Sequence, residues 1–131
     1  MPEPAAFVIE PGPVMQSLTG VRWGRSERTF VLLIPLKGDP IYVLPAFEQR
    51  RAREVIGPAG QMRVWEEDES PFALIARIFA DWNLTQGRVG IEESVRFFIF
   101  DGIRKAAPAL EYVSVGRQAI RLPGQPTARD R

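Results

Sequence analysis

The apolar positions change their period along the chain, and the changes mark out the elements. Ala5-Ala6-Phe7-Val8-Ile9 is a short apolar run closed by Glu10-Pro11-Gly12-Pro13. It reads as a buried strand followed by a turn. Residues 14–18 supply one helical turn before Thr19-Gly20. Residues 28–34 are rich in β-branched and aromatic side chains and are apolar on both faces, as in a central strand covered from both sides. Lys37-Gly38-Asp39-Pro40 forms a turn and Ile41-Tyr42-Val43-Leu44 a further strand, so the two strands predict an antiparallel hairpin.

From Pro45 onward helical and extended patterns alternate. Residues 46–56 form a helix with Phe47, Ala52, Val55 and Ile56 as its apolar positions, stopped by Gly57-Pro58-Ala59-Gly60. Gln61-Met62-Arg63-Val64-Trp65 alternates polar and apolar, the period of a strand. The clearest helix follows. Ser70 is its N-cap and Pro71 its first residue, where a missing N–H costs nothing. Phe72, Ile75, Phe79 and Trp82 recur at helical spacing, Leu74 and Ile78 widen the stripe, and Asn83 ends it. Residues 87–91 read as a strand. Residues 93–107 fit strand or helix by pattern alone; the acidic start, the Arg104-Lys105 finish and Pro108 select helix. Residues 110–115 close the series as a strand, and the Pro- and Gly-rich stretch from Gly116 reads as linker. Strands alternating with amphipathic helices imply one α/β domain over residues 1–115, with a mixed sheet flanked by helices and a tail over 116–131.

The 131 residues suit one compact domain, and 45% hydrophobic content is enough for one core. With 17 basic against 16 acidic residues, no global field draws the chain to nucleic acid or an anionic membrane, and neither partner is expected. The N-terminus shows no basic-then-apolar leader pattern, and the longest apolar run falls far short of the roughly 20 residues of a membrane helix. A cytoplasmic location is expected, consistent with the absence of cysteine. Cysteine and histidine are both absent, which removes thiolate chemistry, the commonest general base and the commonest nitrogen ligand for metals. A Ser-His-Asp triad or an HExxH zinc site therefore has no place in this chain.

Several strings, taken in order, resemble a known family. They are Leu18-Thr19-Gly20-Val21-Arg22-Trp23 before an apolar strand, Ile41-Tyr42-Val43-Leu44-Pro45-Ala46-Phe47-Glu48, Val64-Trp65-Glu66-Glu67-Asp68-Glu69-Ser70-Pro71, and Val89-Gly90-Ile91-Glu92-Glu93. Together they are similar to the N-terminal domain of the creatinase/prolidase family, nearest to bacterial Xaa-Pro dipeptidases. The resemblance runs from about Ala6 to Val115. It implies a ribonuclease-H-like mixed sheet of about six strands. In complete family members a C-terminal pita-bread domain carries two divalent metals, such as manganese, cobalt or zinc, on two Asp, one His and two Glu. That domain is absent from this sequence and no ligand can be carried over, so the isolated chain is expected to bind no cofactor and to catalyse nothing. Family members usually begin with a helix, whereas here a strand comes first. A stand-alone gene, a truncated frame and a fragment all fit this layout.

The candidate sites are few. Arg22-Trp23-Gly24-Arg25 places hot-spot residue types in a loop between strands. The resemblance implies that this loop reaches a partner subunit's active site, with Arg22 and Arg25 near a substrate carboxylate and Trp23 as an apolar wall. A half-buried tryptophan beside solvent-facing arginines is the competing reading. The run Glu66-Glu67-Asp68-Glu69 could attract a hard cation, but carboxylates ahead of a helix are also favoured by its dipole. Phe97-Phe98-Ile99-Phe100 could stack on bases, although core packing is the expectation; Trp65 is expected in the core as well. The resulting expectation is a non-catalytic domain that dimerises, or contacts a pita-bread domain, and shapes the substrate pocket. A stand-alone protein- or peptide-binding module is the alternative, and a small carboxylate-based hydrolase the third.

Overall fold

The computed structural model describes residues 3–124. Its elements are β1 (Ala6–Ile9), α1 (Pro13–Thr19), β2 (Val31–Pro35), β3 (Ile41–Pro45), α2 (Gln49–Ile56), β4 (Gln61–Trp65), α3 (Pro71–Asp81), β5 (Arg88–Glu92), α4 (Phe97–Ala106) and β6 (Glu111–Val115). A 3-10 turn at Ala46–Glu48 leads into α2, and another spans Arg117–Ala119. The six strands form one mixed sheet in the order β4-β3-β2-β1-β5-β6. β2 runs antiparallel to β1 and β3, while the other pairings are parallel. Five carboxyl-terminal strand ends therefore share one edge of the sheet. In open α/β sheets that edge is where sites form.

The expected hairpin is present, with Leu32 opposite Tyr42. β1, β2 and β3 are buried throughout because both faces are covered. On one face Ala6, Val8, Val31, Leu33 and Val43 meet Leu74, Ile75, Ile78 and Phe79 of α3 and Ile99 and Ile103 of α4. On the other, Phe7, Ile9, Leu32, Ile34 and Leu44 meet Met15 and Leu18 of α1 and Ala52 of α2. The helix from Pro71 starts as expected, with the Ser70 hydroxyl accepting from Ala73 N–H at 3.1 Å. Trp65 is buried in the core and its indole N–H donates to the Thr29 carbonyl at 3.1 Å.

Four expectations change. The helix expected from Glu93 begins at Phe97. Glu92 accepts from the Ser94 backbone N–H and Glu10 from that of Arg96, so side chains hold residues 93–96 in a turn. A later start carries the first helical turn past the sheet. Ile99 and Ile103 are buried, whereas Phe97 is 69% exposed and Phe98 is exposed too, against the expectation of core. In α2 Ala52 is buried and Ile56 packs half-buried against the same cluster, whereas Phe47, in the preceding 3-10 turn, and Val55 lie on the surface. Finally, the tail packs further than the boundary at Val115 implies. Ile120 is 2% exposed in the core and Leu122 packs against it. The rest of the expected linker, residues 125–131, lies outside the described residues.

Candidate functional site

The carboxyl-terminal edge of the sheet gathers the chemistry of the chain. Two carboxylates sit just there on neighbouring parallel strands, Glu10 after β1 and Glu92 ending β5, and both are buried. Glu10 is 1% exposed and is matched by cations. Arg96 Nη2 donates to Glu10 Oε2 at 2.7 Å, its Nε at 3.1 Å, and its backbone N–H donates to Oε1 at 2.8 Å. Arg25 Nη1 lies 3.9 Å from Glu10 Oε1. Burial of a carboxylate is costly unless it is paired and hydrogen-bonded, and Glu10 is both.

This network fixes the loop of residues 20–30. Arg25 Nε donates to the Pro11 carbonyl at 2.7 Å, Nη1 to the Ser94 carbonyl at 2.9 Å and Nη2 to the Ser94 hydroxyl at 2.9 Å. Arg96 Nη2 also donates to the Ser26 carbonyl at 2.7 Å. On its other flank the loop rests on the start of α2. The guanidinium of Arg51 lies 4.3 Å from the Trp23 ring centroid, and that of Arg28 lies 5.0 Å from the centroid of Phe47. Arg28 Nε donates to Glu67 Oε1 at 2.8 Å, and this hydrogen bond raises its pKa further above the ordinary arginine value. Gly20, which ends α1 at φ 77°, lets the chain turn into the loop through a left-handed conformation that other residues rarely adopt.

The three residues singled out in the sequence thus receive different roles. Arg25 is committed to the Pro11, Ser94 and Glu10 oxygens. Trp23 is half-buried, with Phe30 4.9 Å away and Arg51 against its ring. Arg22 is exposed and forms no ion pair with a described residue. Arg22, Trp23 and Arg51 line an open concavity of about 500 Å³ together with Gly12, Pro13 and Gln16. Arg51 is shared with Glu48 at 3.3 Å, and two arginines beside a tryptophan suit an anionic group on a partly apolar ligand. Reasoning from sequence missed Arg51. Its signal was available, since Phe47 and Arg51 are four residues apart, a spacing that sets two side chains on one helical face.

The acidic run at 66–69 is divided among structural tasks. Glu69 accepts from the Glu66 backbone N–H at 2.8 Å, and Glu67 pairs with Arg28. Among the described residues no group of three or more potential ligands converges on a metal position. The two-metal ligand set implied by the resemblance includes a histidine, and this sequence has none, so its residues do not fit that set. Among the described residues no helix is long and apolar enough to cross a membrane.

Comparisons with known proteins agree with this architecture. The family model of the creatinase/prolidase N-terminal domain matches residues 4–122. A dipeptidase from Pyrococcus horikoshii OT3 shares 24% identity and a TM-score of 0.70 over 86% of this chain, which spans 30% of that protein. The N-terminal domain of an Xaa-Pro dipeptidase from Lactobacillus brevis shares 20% identity and a TM-score of 0.72, over 82% of this chain and 80% of that one. A proline dipeptidase structure from Streptococcus agalactiae shares 21% identity and a TM-score of 0.72, over 90% and 88% of the two chains. At these identities the likeness establishes the fold. No curated protein matches the sequence. The matched family model covers nearly the whole chain, and the chain belongs to the creatinase/prolidase N-terminal domain family.

Proposed function

We propose that this chain is the non-catalytic N-terminal domain of an Xaa-Pro dipeptidase, dimerising and presenting its Arg22-Trp23 loop to the substrate pocket of a partner. The observation that carries this reading is the anchoring of that loop. Arg25, Arg96 and Arg51 fix it at the carboxyl edge of the sheet, while Arg22 is left at the mouth of a concavity. Preorganisation of this kind is what a residue needs if it is to act on a ligand from outside the catalytic domain. Metal-dependent hydrolysis is assigned to a catalytic domain, since neither histidine nor cysteine is available here. The cytoplasm is the compartment that suits a cysteine-free protein of this kind.

Exposed Phe47, Phe97 and Phe98 on the same edge favour a second reading, a binding module for a protein or peptide. Two measurements separate the readings. Sedimentation equilibrium is expected to give a dimer at micromolar concentration; a monomer throughout contradicts the first reading. Co-purification from the native host is expected to return only this chain or a pita-bread domain. Specific recovery of a different partner supports the second.

A further inference from the structure

β6 ends the sheet and pairs with β5 alone. Glu111 N–H donates to the Gly87 carbonyl at 2.8 Å, and the Val115 carbonyl accepts from Glu93 N–H at 2.9 Å, so residues 111 and 115 turn these backbone groups towards β5. Backbone groups alternate along a strand. Val113 therefore faces β5 as well, and the N–H and C=O of Tyr112 and Ser114 point out of the sheet, where no further strand adjoins them among the described residues. An open edge of this kind pairs readily with an extended chain, and proteins commonly guard it with a charge or a proline. β4, the other edge strand, carries Arg63 at its centre. The only charge on β6 is Glu111, its first residue, already paired with Arg88 at 3.2 Å.

The same two residues border a cavity. Tyr112 and Ser114 line a space of about 250 Å³ together with Ile91, Val95, Phe97 and Phe100. The ring centroids of Phe97 and Phe100 lie 5.9 Å apart and those of Phe100 and Tyr112 5.8 Å apart, so adjoining walls are aromatic. The polar groups nearby are committed elsewhere. The Tyr112 hydroxyl donates to the Ala107 carbonyl at 2.6 Å, and Arg104 already sits over the Phe100 ring. Ile91 faces the α3–α4 side of the sheet, so its neighbour Glu92 carries its carboxylate on the other side, where Ser94 holds it. A neutral apolar side chain is what these walls suit. Phe97, 69% exposed, is the wall least covered by the chain itself.

We propose that β6 accepts an extended segment of a partner polypeptide as a seventh strand, bonded to the backbone of Tyr112 and Ser114, with one aliphatic or aromatic side chain of that segment in the cavity. In strand addition of this kind the main-chain bonds supply affinity and the pocket supplies selectivity. A second copy of the chain does not fit as the occupant. Two β6 strands paired antiparallel bring Tyr112 and Ser114 to the cavity's face of the sheet, and that tyrosine ring is already packed against its own Phe100 while serine is polar. The apolar side chains of β4 are likewise packed in the chain's own core. The proposal rests on the second reading above, to which it gives a surface, and does not involve the Arg22-Trp23 loop.

Amide NMR titration of the chain with blocked heptapeptides of alternating threonine and lysine, whose central residue is leucine, phenylalanine or serine, tests the assignment. The leucine or the phenylalanine peptide is expected to shift the Phe97, Tyr112 and Ser114 amides saturably and to slow hydrogen exchange at Tyr112 and Ser114. The serine peptide is expected to bind about tenfold more weakly, the scale of losing one buried apolar side chain. Ser114→Pro removes an outward N–H at a position where an edge strand tolerates proline, and Phe97→Ala removes a wall at an exposed position. Each is expected to weaken binding several-fold with the fold intact. No saturable shift with any peptide, equal binding of the serine peptide, or unchanged binding in folded Phe97→Ala would overturn the proposal. A partner recovered from the native host equally by the unaltered chain and by folded Ser114→Pro would overturn this site and leave the second reading standing.

Discussion

Arg51 holds its guanidinium 4.3 Å from the centre of the Trp23 ring, and one helical turn away Phe47 lies beneath the guanidinium of Arg28 at 5.0 Å. Loop and helix thus exchange the same two residue types, each supplying an arginine for the other's aromatic. With Phe30 4.9 Å away as well, Trp23 does not offer a bare ring face.

Arg51→Ala is expected to cost about 0.5–1 kcal/mol, the size of a cation–π contact at a partly exposed site. The melting temperature should fall by a few degrees and the tryptophan emission should shift to the red as Trp23 gains water. Arg51→Lys is expected to recover part of both. An unchanged emission spectrum in Arg51→Ala would show that the contact does not hold the loop.

Glu10→Gln leaves Arg96 and Arg25 without their shared carboxylate. The expected loss is about 3 kcal/mol, at the lower end for breaking a buried pair because both guanidinium groups keep partial access to water. A urea titration should show a lower midpoint with an unchanged slope. Since the same carboxylate anchors the loop, exchange of the backbone amides of residues 22–28 should accelerate beyond the global change.

Gly102 lies where α4 crosses α3, and a Cβ there would meet the Phe72 ring carbons at 2.4–2.6 Å. Alanine gains about 1 kcal/mol of helix propensity over glycine, but overpacking costs about 1–3 kcal/mol. Packing is expected to win, since the Phe72 ring faces its clash broadside rather than at a flexible tip. Thermal melting of Gly102→Ala should show destabilisation, relieved in Gly102→Ala with Phe72→Leu.

Burial pushes the Tyr112 hydroxyl up to about 12, and it donates to the Ala107 carbonyl at 2.6 Å. The unfolded chain ionises this group near the ordinary tyrosine value of about 10. Its contribution is therefore complete below about pH 10 and lost as pH rises towards 12, because the unfolded state gives up its proton first. Spectrophotometric titration should show delayed tyrosine ionisation in the native chain. Tyr42, also raised by burial, should ionise late too. Tyr112→Phe should flatten the alkaline fall in stability.

Much of the architecture was legible because it depends on local pattern. The doubly apolar run at 28–34 announces a central strand, found at Val31–Pro35, and Ser70-Pro71 announces a helix start whose cap bond is present. The start of α4 was not legible. It is set by Glu10, 86 positions away from Arg96, and no window of sequence contains that bond. The exposure of Phe97 and Phe98 follows from the same displaced start. At the candidate site the loop could be read from residue types, but the division of tasks could not. Arg22 and Arg25 are equivalent on paper. Only the third dimension brings Pro11 and Ser94 to Arg25 and leaves Arg22 facing outward.

Under the proposed function this chain lends shape and charge to a site and does not itself hydrolyse. The most direct measurement is an Xaa-Pro dipeptide assay on the purified chain, with and without added manganese. No turnover above the buffer rate is predicted in either condition. Manganese-dependent turnover that co-elutes with the chain, and persists after a host peptidase has been removed, would contradict it.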